Sequence, residues 1–341
     1  MRMAIIGCGG IANVHARDLV NLINKGEDVE VSFLVDVRED NALRLKKKWG
    51  FDKAEVVRDY RSIIGKVDAA IICTPHTLHY PQALDLIKNN VHVLLEKPMV
   101  CKLEHAVDLI EAAEESKVVL EVAYQRHFIP CFIAAREFVR KGGLGRVRLI
   151  SLLLAQNWYE FCKGTWRLTQ KLGGGGELMD SGSHIIDIAL WVTGLKPFEV
   201  YAAFDKYDSE VDINTGLVAK MDNGAILNFT VAGDDPSGWM EIELFWGDRG
   251  RLSIMPPKVL FIGRDRREAQ LDTLNITPSR PVYNFIDVIL GRDYNRSPGI
   301  GALYVVALSE AAYEAANRGR PISIKELCEI KGVDYSKFFG P

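Results

Sequence analysis

The chain has 341 residues, a net charge of −3, 48% hydrophobic residues and 26% charged residues. That length calls for two cores rather than one, and the balance is that of a folded globular protein. The slightly acidic charge offers no basic field to a phosphate backbone, so nucleic acid is not expected as a partner. No apolar stretch reaches the ~20 residues that span a bilayer, so no membrane association is expected either.

The N-terminus runs straight into a strand-like segment, which leaves no room for a signal peptide and points to a cytoplasmic location. Through residue 123, short apolar runs alternate with amphipathic stretches, the pattern of a parallel sheet flanked by helices. Strands are expected at residues 3–6, 29–35, 69–73, 91–95 and 118–123, and helices at 11–24, 40–49, 81–89 and 103–115. Lys46, Lys47 and Lys48 close the second helix, where they suit the negative end of its dipole. Beyond residue 123 the pattern changes. A helix at 132–141 stops at Gly142-Gly143, a strand follows at 147–154, and the glycine-rich turn 173–176 precedes an apolar helix ending near Gly194. Strands with turn signals such as Asp222-Asn223-Gly224 and Asp248-Arg249-Gly250 fill residues 198–262, and helices near 282–290 and 302–317 close the chain. The fold class is therefore α/β: an N-terminal Rossmann domain over 1–123, then an α+β domain over 124–341 with a mostly antiparallel sheet. Cys8, Cys73, Cys101, Cys131, Cys162 and Cys328 include no C-x-x-C pair, so they read as reduced thiols in apolar surroundings, and no metal site is expected.

Directly after the first strand stands Gly7-Cys8-Gly9-Gly10-Ile11-Ala12, a G-x-G-x-x-A fingerprint. Gly7 permits the tight turn, Gly9 lets the backbone approach a pyrophosphate, and the small Ala12 lets helix pack on strand. The anion then rests on the amides of the helix N-terminus, around Gly10 and Ile11. The second strand ends at Asp36, whose carboxylate suits both ribose hydroxyls and repels a 2′-phosphate; Arg38 is the residue that could hold one. NAD is expected over NADP.

Further along come Cys73-Thr74-Pro75-His76-Thr77-Leu78-His79, then Leu95-Glu96-Lys97-Pro98, Trp166-Arg167, and a run from Gly173 to Asp187 of the form G-G-x-x-x-x-D-x-G-x-H-x-x-D. In this order, with the glycine fingerprint, they resemble the Gfo/Idh/MocA family of oxidoreductases over essentially the whole chain. The resemblance implies a nicotinamide cofactor, a carbohydrate or polyol substrate, and a large open sheet in the second domain that forms homodimers or homotetramers. It implies that Thr74, Pro75, His79, Glu96 and Gln125 line the cofactor, that Trp166 and Arg167 reach it from the second domain, and that Lys97, Asp180 and His184 are catalytic. One departure is Tyr124-Gln125-Arg126-His127, where many members carry Asn.

The chemistry of these residues agrees with that assignment. Removing hydride from a secondary alcohol requires an acceptor for the hydroxyl proton and positive charge near the developing alkoxide. A histidine suits the first task and a lysine ammonium the second. Lys97 follows a strand at its carboxyl end, where open α/β sheets bind ligands. Asp180 and His184 stand at i and i+4 of an expected helix and so share a face with Asp187, with Gly182 between them leaving room for a ligand. Protein partners for these polar groups are the alternative, most of all for Asp187. The expected activity is an inositol-dehydrogenase-like, NAD-dependent hydride transfer at a secondary hydroxyl. The alternatives are an NAD-recycling glycosidase or epimerase, and a non-catalytic dinucleotide-binding regulator. His15, His105 and His127 show no partner in the sequence, and His92 reads as a hydrogen-bonded core residue.

Overall fold

The structure is a computed structural model that describes residues 1–340. It comprises two compact units, one made of residues 1–100, 105–125 and 279–300, the other of 101–104, 126–278 and 301 onward.

The chain begins with β1 (Arg2–Ile6), α1 (Ala12–Asn24), β2 (Glu30–Val35), α2 (Glu39–Trp49), β3 (Glu55–Val57), β4 (Ala69–Ile72), α3 (His79–Ile87), β5 (His92–Leu95), α4 (Leu103–Ser116) and β6 (Leu120–Val122). The six strands form one parallel sheet in the order β3-β2-β1-β4-β5-β6. That order reverses between β1 and β4, the position at which such sheets take their ligand. The central strands β1, β4 and β5 are apolar almost throughout because helices cover both faces. The short edge strand β3 carries no apolar run and was not anticipated.

The second unit is built from α5 (Pro130–Arg140), β7 (Val147–Ala155), α6 (Trp158–Cys162), α7 (Gln170–Gly173), α8 (Gly182–Thr193), β8 (Pro197–Asp205), β9 (Asn214–Met221), β10 (Ile226–Ala232), β11 (Met240–Gly247), β12 (Gly250–Met255), β13 (Lys258–Gly263) and β14 (Glu268–Gln270). There follow α9 (Pro281–Ile289), α10 (Gly299–Arg318), β15 (Ile322–Ser323), α11 (Ile324–Lys331) and α12 (Tyr335–Phe338). Nine strands form one sheet, β14-β13-β12-β11-β7-β10-β9-β8-β15, antiparallel except where β7 and β10 run parallel. Residues 279–300, expected in the second domain over 124–341, belong instead to the first unit. Helix α9 lays Val282, Phe285 and Ile286 into the first unit's core, beside Ile5, Leu34, Ile71 and Leu94. An apolar helix face announces burial in the sequence but not which sheet will cover it.

On one face of the nine-stranded sheet, Ile150, Leu152, Leu154, Leu227, Phe229, Val231 and Phe245 are buried. The opposite face leaves Tyr201, Val218 and Ile226 exposed and Leu149, Leu153, Ile242, Leu244 and Trp246 half-buried. Ile226 therefore points away from Phe229 and Val231, because successive strand residues alternate sides. Among the described residues, no helix is long and apolar enough to cross a membrane. Among the described residues no cysteine forms a disulfide, and burial pushes the Cys8 and Cys101 thiols up to about 12.

Candidate functional site

The glycine turn lies at the carboxyl end of β1, beside the switch in strand order. Gly7 holds φ at +85°, and a Cβ there would stand 2.7 Å from the Cys73 carbonyl carbon and oxygen. No side chain fits. Gly9 and Gly10 face open space, with no atom within 4 Å of where a Cβ would be. This is the cradle a pyrophosphate needs, since backbone amides at a helix N-terminus remain reachable there. Asp36 is fixed by accepting from the Cys8 amide at 2.9 Å, the Arg38 amide at 2.8 Å and Asn41 Nδ2 at 3.2 Å. Arg38 itself is exposed. These residues fit an NAD adenosine half.

The ends of β4 and β5 carry the next group. Thr74 and Pro75 are half-buried, and Thr74 Oγ1 donates to Gln82 Oε1 at 2.7 Å. His79 is fully enclosed. Its Nδ1 lies 2.9 Å from the Pro98 carbonyl and its Nε2 2.9 Å from the Thr74 carbonyl. Burial lowers the His79 pKa, against the two carbonyls, which raise it. His79 thus braces the Thr74 and Pro98 turns from inside, rather than presenting a surface to a cofactor. Glu96 is also buried, its Oε1 held by His15 Nε2 at 2.7 Å and its Oε2 by the Lys97 amide at 3.2 Å. Lys97 is half-buried at the end of β5, followed by a cis peptide to Pro98. Gln125 is exposed at the head of a short 3-10 turn, Gln125–Phe128.

In the second unit, Asp180 and His184 are both buried. Helix α8 begins at Gly182, so Asp180 sits in the preceding turn and not on the helix with His184. Asp180 Oδ2 accepts from Arg167 Nε at 2.8 Å and Trp158 Nε1 at 3.0 Å. The Arg167 guanidinium in turn lies 4.4 Å from the Trp166 ring centroid, so Trp166, Arg167 and Asp180 form one connected group. Gly182 does not make room for a ligand. A Cβ there would lie 3.2 Å from the Glu177 carbonyl oxygen and 3.3 Å from Leu178 Cδ1, so protein already fills the space. Asp187 has a protein partner, His127 Nε2 at 2.8 Å, and the His127 ring stacks on Trp191 at 4.2 Å.

Besides Asn41, Gln82 and Trp158, two further partners of the site were not found from the sequence. Asp212, 1% exposed, accepts from the amides of Gly176 at 2.8 Å and Leu178 at 2.9 Å and from the Tyr313 hydroxyl at 2.6 Å. It fixes the turn that presents Asp180, and Gly176 is obligatory because a Cβ would lie 1.8 Å from the Asp212 carbonyl oxygen. His15 is the other, as the partner of Glu96. Both pairings join residues far apart in the chain, which local spacing does not reveal. His92 accepts from the Val119 amide at 2.9 Å, and His105 stacks on Tyr80 at 3.7 Å.

Residues 1–124 match the oxidoreductase family with the NAD-binding Rossmann fold of the Gfo/Idh/MocA type, and residues 132–253 match the C-terminal domain of that family. The rhizopine catabolism protein MocA of Rhizobium meliloti is 30% identical over 60% of this chain, and the matched stretch covers only 61% of that protein. A myo-inositol 2-dehydrogenase of Thermotoga maritima is 27% identical over 74% of each chain. The solved structure of a levoglucosan dehydrogenase with NADH and L-sorbose superposes with a TM-score of 0.84 over 95% of this chain and 98% of its own, at 17% identity, which is a likeness of fold. With an NAD-binding Rossmann domain at one end and the matching C-terminal domain behind it, the chain belongs to the Gfo/Idh/MocA family of oxidoreductases.

Proposed function

We propose that the protein is an NAD-dependent dehydrogenase acting on a secondary hydroxyl of a sugar, sugar derivative or polyol, with the first unit binding the cofactor and the second the substrate. The observation that carries this reading is the open glycine cradle, with Asp36 fixed beside it and Lys97 at the end of β5, in a chain that also carries a buried His184 and a buried Asp180. Related proteins named as inositol, glucoside and levoglucosan dehydrogenases support the substrate class.

Bound NAD would supply the hydride acceptor. Gly9, Gly10 and Ile11 would hold its pyrophosphate and Asp36 its ribose, with Thr74, Pro75, Gln125, Trp166 and Arg167 as further contacts. The His184 imidazole takes the hydroxyl proton, and the Lys97 ammonium stabilises the charge growing on that oxygen. Asp180, held by Trp158 and Arg167, keeps a carboxylate beside the substrate. The apolar open face around Tyr201, Val218, Ile226 and Trp246 is assigned to self-association as a dimer or tetramer. Trp246→Glu should lower the mass seen by light scattering, and a wild-type protein that scatters as a monomer at micromolar concentration defeats that assignment.

The test of the function is absorbance of reduced nicotinamide during a screen of sugars and polyols. Lys97→Ala should lose roughly 10²–10³ in turnover with NAD binding intact. His184→Ala should lose roughly 10²–10⁴ and abolish the acidic limb of the pH–rate profile for oxidation, since only a neutral imidazole accepts the proton. Turnover that needs only catalytic NAD would instead show transient oxidation within a cleavage or epimerisation. If both variants keep wild-type rates, the assignment fails.

A further inference from the structure

Glu96 precedes Lys97 at the end of β5 and is buried, so each of its oxygens requires a donor. One donor is the main-chain N–H of Lys97 itself, at 3.2 Å from Oε2. The other is Nε2 of His15, at 2.7 Å from Oε1. His15 lies in the first turns of α1, the helix whose N-terminus follows the glycine cradle, and it is 4% exposed. Its Nδ1 has no hydrogen-bond partner among the described residues. Among the described residues the ring is held through Nε2, by Glu96. In sheet order, α1 follows β1 while Glu96 ends β5, two strands away across β4. The contact thus ties the start of α1 to the turn that carries Lys97.

We propose that His15 is a positioning residue acting through Glu96: the imidazole holds the carboxylate, the carboxylate holds the Lys97 amide, and the lysine turn is thereby registered against the helix that receives the pyrophosphate. This rests on the reading of Lys97 as the residue facing the reacting oxygen. In this arrangement the His15 proton sits on Nε2, the nitrogen that faces the carboxylate, and Nδ1 is bare. A hydrophobic residue at position 15 frees the buried carboxylate to move and takes the lysine turn with it. A glutamine, whose side-chain NH₂ reaches about as far as Nε2, restores the donor.

The test combines kinetics with nitrogen-15 NMR of the histidine rings in the NAD-free protein. His15→Leu should lower kcat roughly 10–100-fold, as expected for a misplacement of about 1 Å, while the Kd for NAD moves less than about threefold. His15→Gln should recover to within about threefold of wild type, a rescue that generic loss of packing would not show. In the double variant His15→Leu/Glu96→Leu, turnover should fall no further than in Glu96→Leu alone, because both changes break one linkage. The His15 ring, assigned by its absence in His15→Gln, should carry its proton on Nε2 and lose that preference in Glu96→Leu. Multiplying losses in the double variant, a glutamine no better than leucine, or a proton on Nδ1 would overturn the proposal. If His15→Leu does not fold, the wild-type spectrum and His15→Gln decide the matter. A Lys97→Ala variant with full turnover would refute the catalytic reading, whereas the His15 tautomer would still report on the clamp itself.

Discussion

Glu121 offers a prediction whose size follows from the structure. It lies in β6 of the first unit, is 0% exposed, and neither of its carboxyl oxygens has a hydrogen-bond partner among the described residues. The segment 295–298 closes over it: the Val122 amide donates to the Ser297 carbonyl at 2.9 Å, and Asn295 Nδ2 donates to the Leu120 carbonyl at 2.9 Å. Desolvation raises its pKa from the ordinary 4.5 to about 9, with Arg296 pulling it down and Asp293 pushing it up. In the folded state the acid is therefore neutral at pH 7, while in the unfolded chain it is ionised. Between those two values the folded state binds the extra proton, so stability falls as pH rises, and it stops falling above the folded pKa. At about 1.4 kcal/mol per pH unit, going from about pH 6 to about pH 9 removes about 4 kcal/mol. That is an upper bound, since local opening of 295–298 to water relieves the strain earlier. Against a typical total of about 5–15 kcal/mol, it is a large effect. Glu121→Gln keeps the shape without the ionisation. Urea denaturation at the two pH values, followed by circular dichroism, should show the wild type losing several kcal/mol more than the variant on the way up. Equal pH slopes in the two proteins would refute the reasoning.

Three further outcomes are expected. Gly7→Ala forces a Cβ to within 2.7 Å of the Cys73 carbonyl at φ +85°, so it should abolish NAD binding and destabilise the protein by roughly 1–3 kcal/mol; isothermal titration and a thermal melt would show otherwise if the turn tolerates alanine. Asp212→Ala strips the acceptor from two amides and the Tyr313 hydroxyl, and should cost about 3 kcal/mol with a marked loss of turnover, because the turn before α8 loosens; an unchanged melting temperature would contradict this. NAD should bind at least about tenfold more tightly than NADP, about 1.4 kcal/mol. Asp36→Ser should narrow that gap, and equal affinities in the wild type, read by fluorescence quenching, would assign the choice to Arg38.

The sequence by itself determined the features that arise within a few residues. The apolar runs gave the parallel strands, Gly7 and Asp36 marked the dinucleotide turn, and alternation in 198–262 gave a sheet with an open side. Period and turn chemistry are local, and so they are legible. Where the reading depended on helix phase it slipped: α8 starts at Gly182, two residues after Asp180, because Asp212 ties the preceding residues into a turn. Tertiary structure alone decided that α9 packs in the first unit, that Gly182 is filled by protein, and that Asp187 belongs to His127. It also decided that His79 and Glu96 face inward, one between two carbonyls and the other on His15. Each of these is the choice of a partner by a buried group, and the partner can be distant in the chain, 81 residues away in the case of Glu96 and His15. Most buried polar atoms are satisfied, but nothing in their neighbourhood along the chain says by what; only packing brings the answer within hydrogen-bond reach.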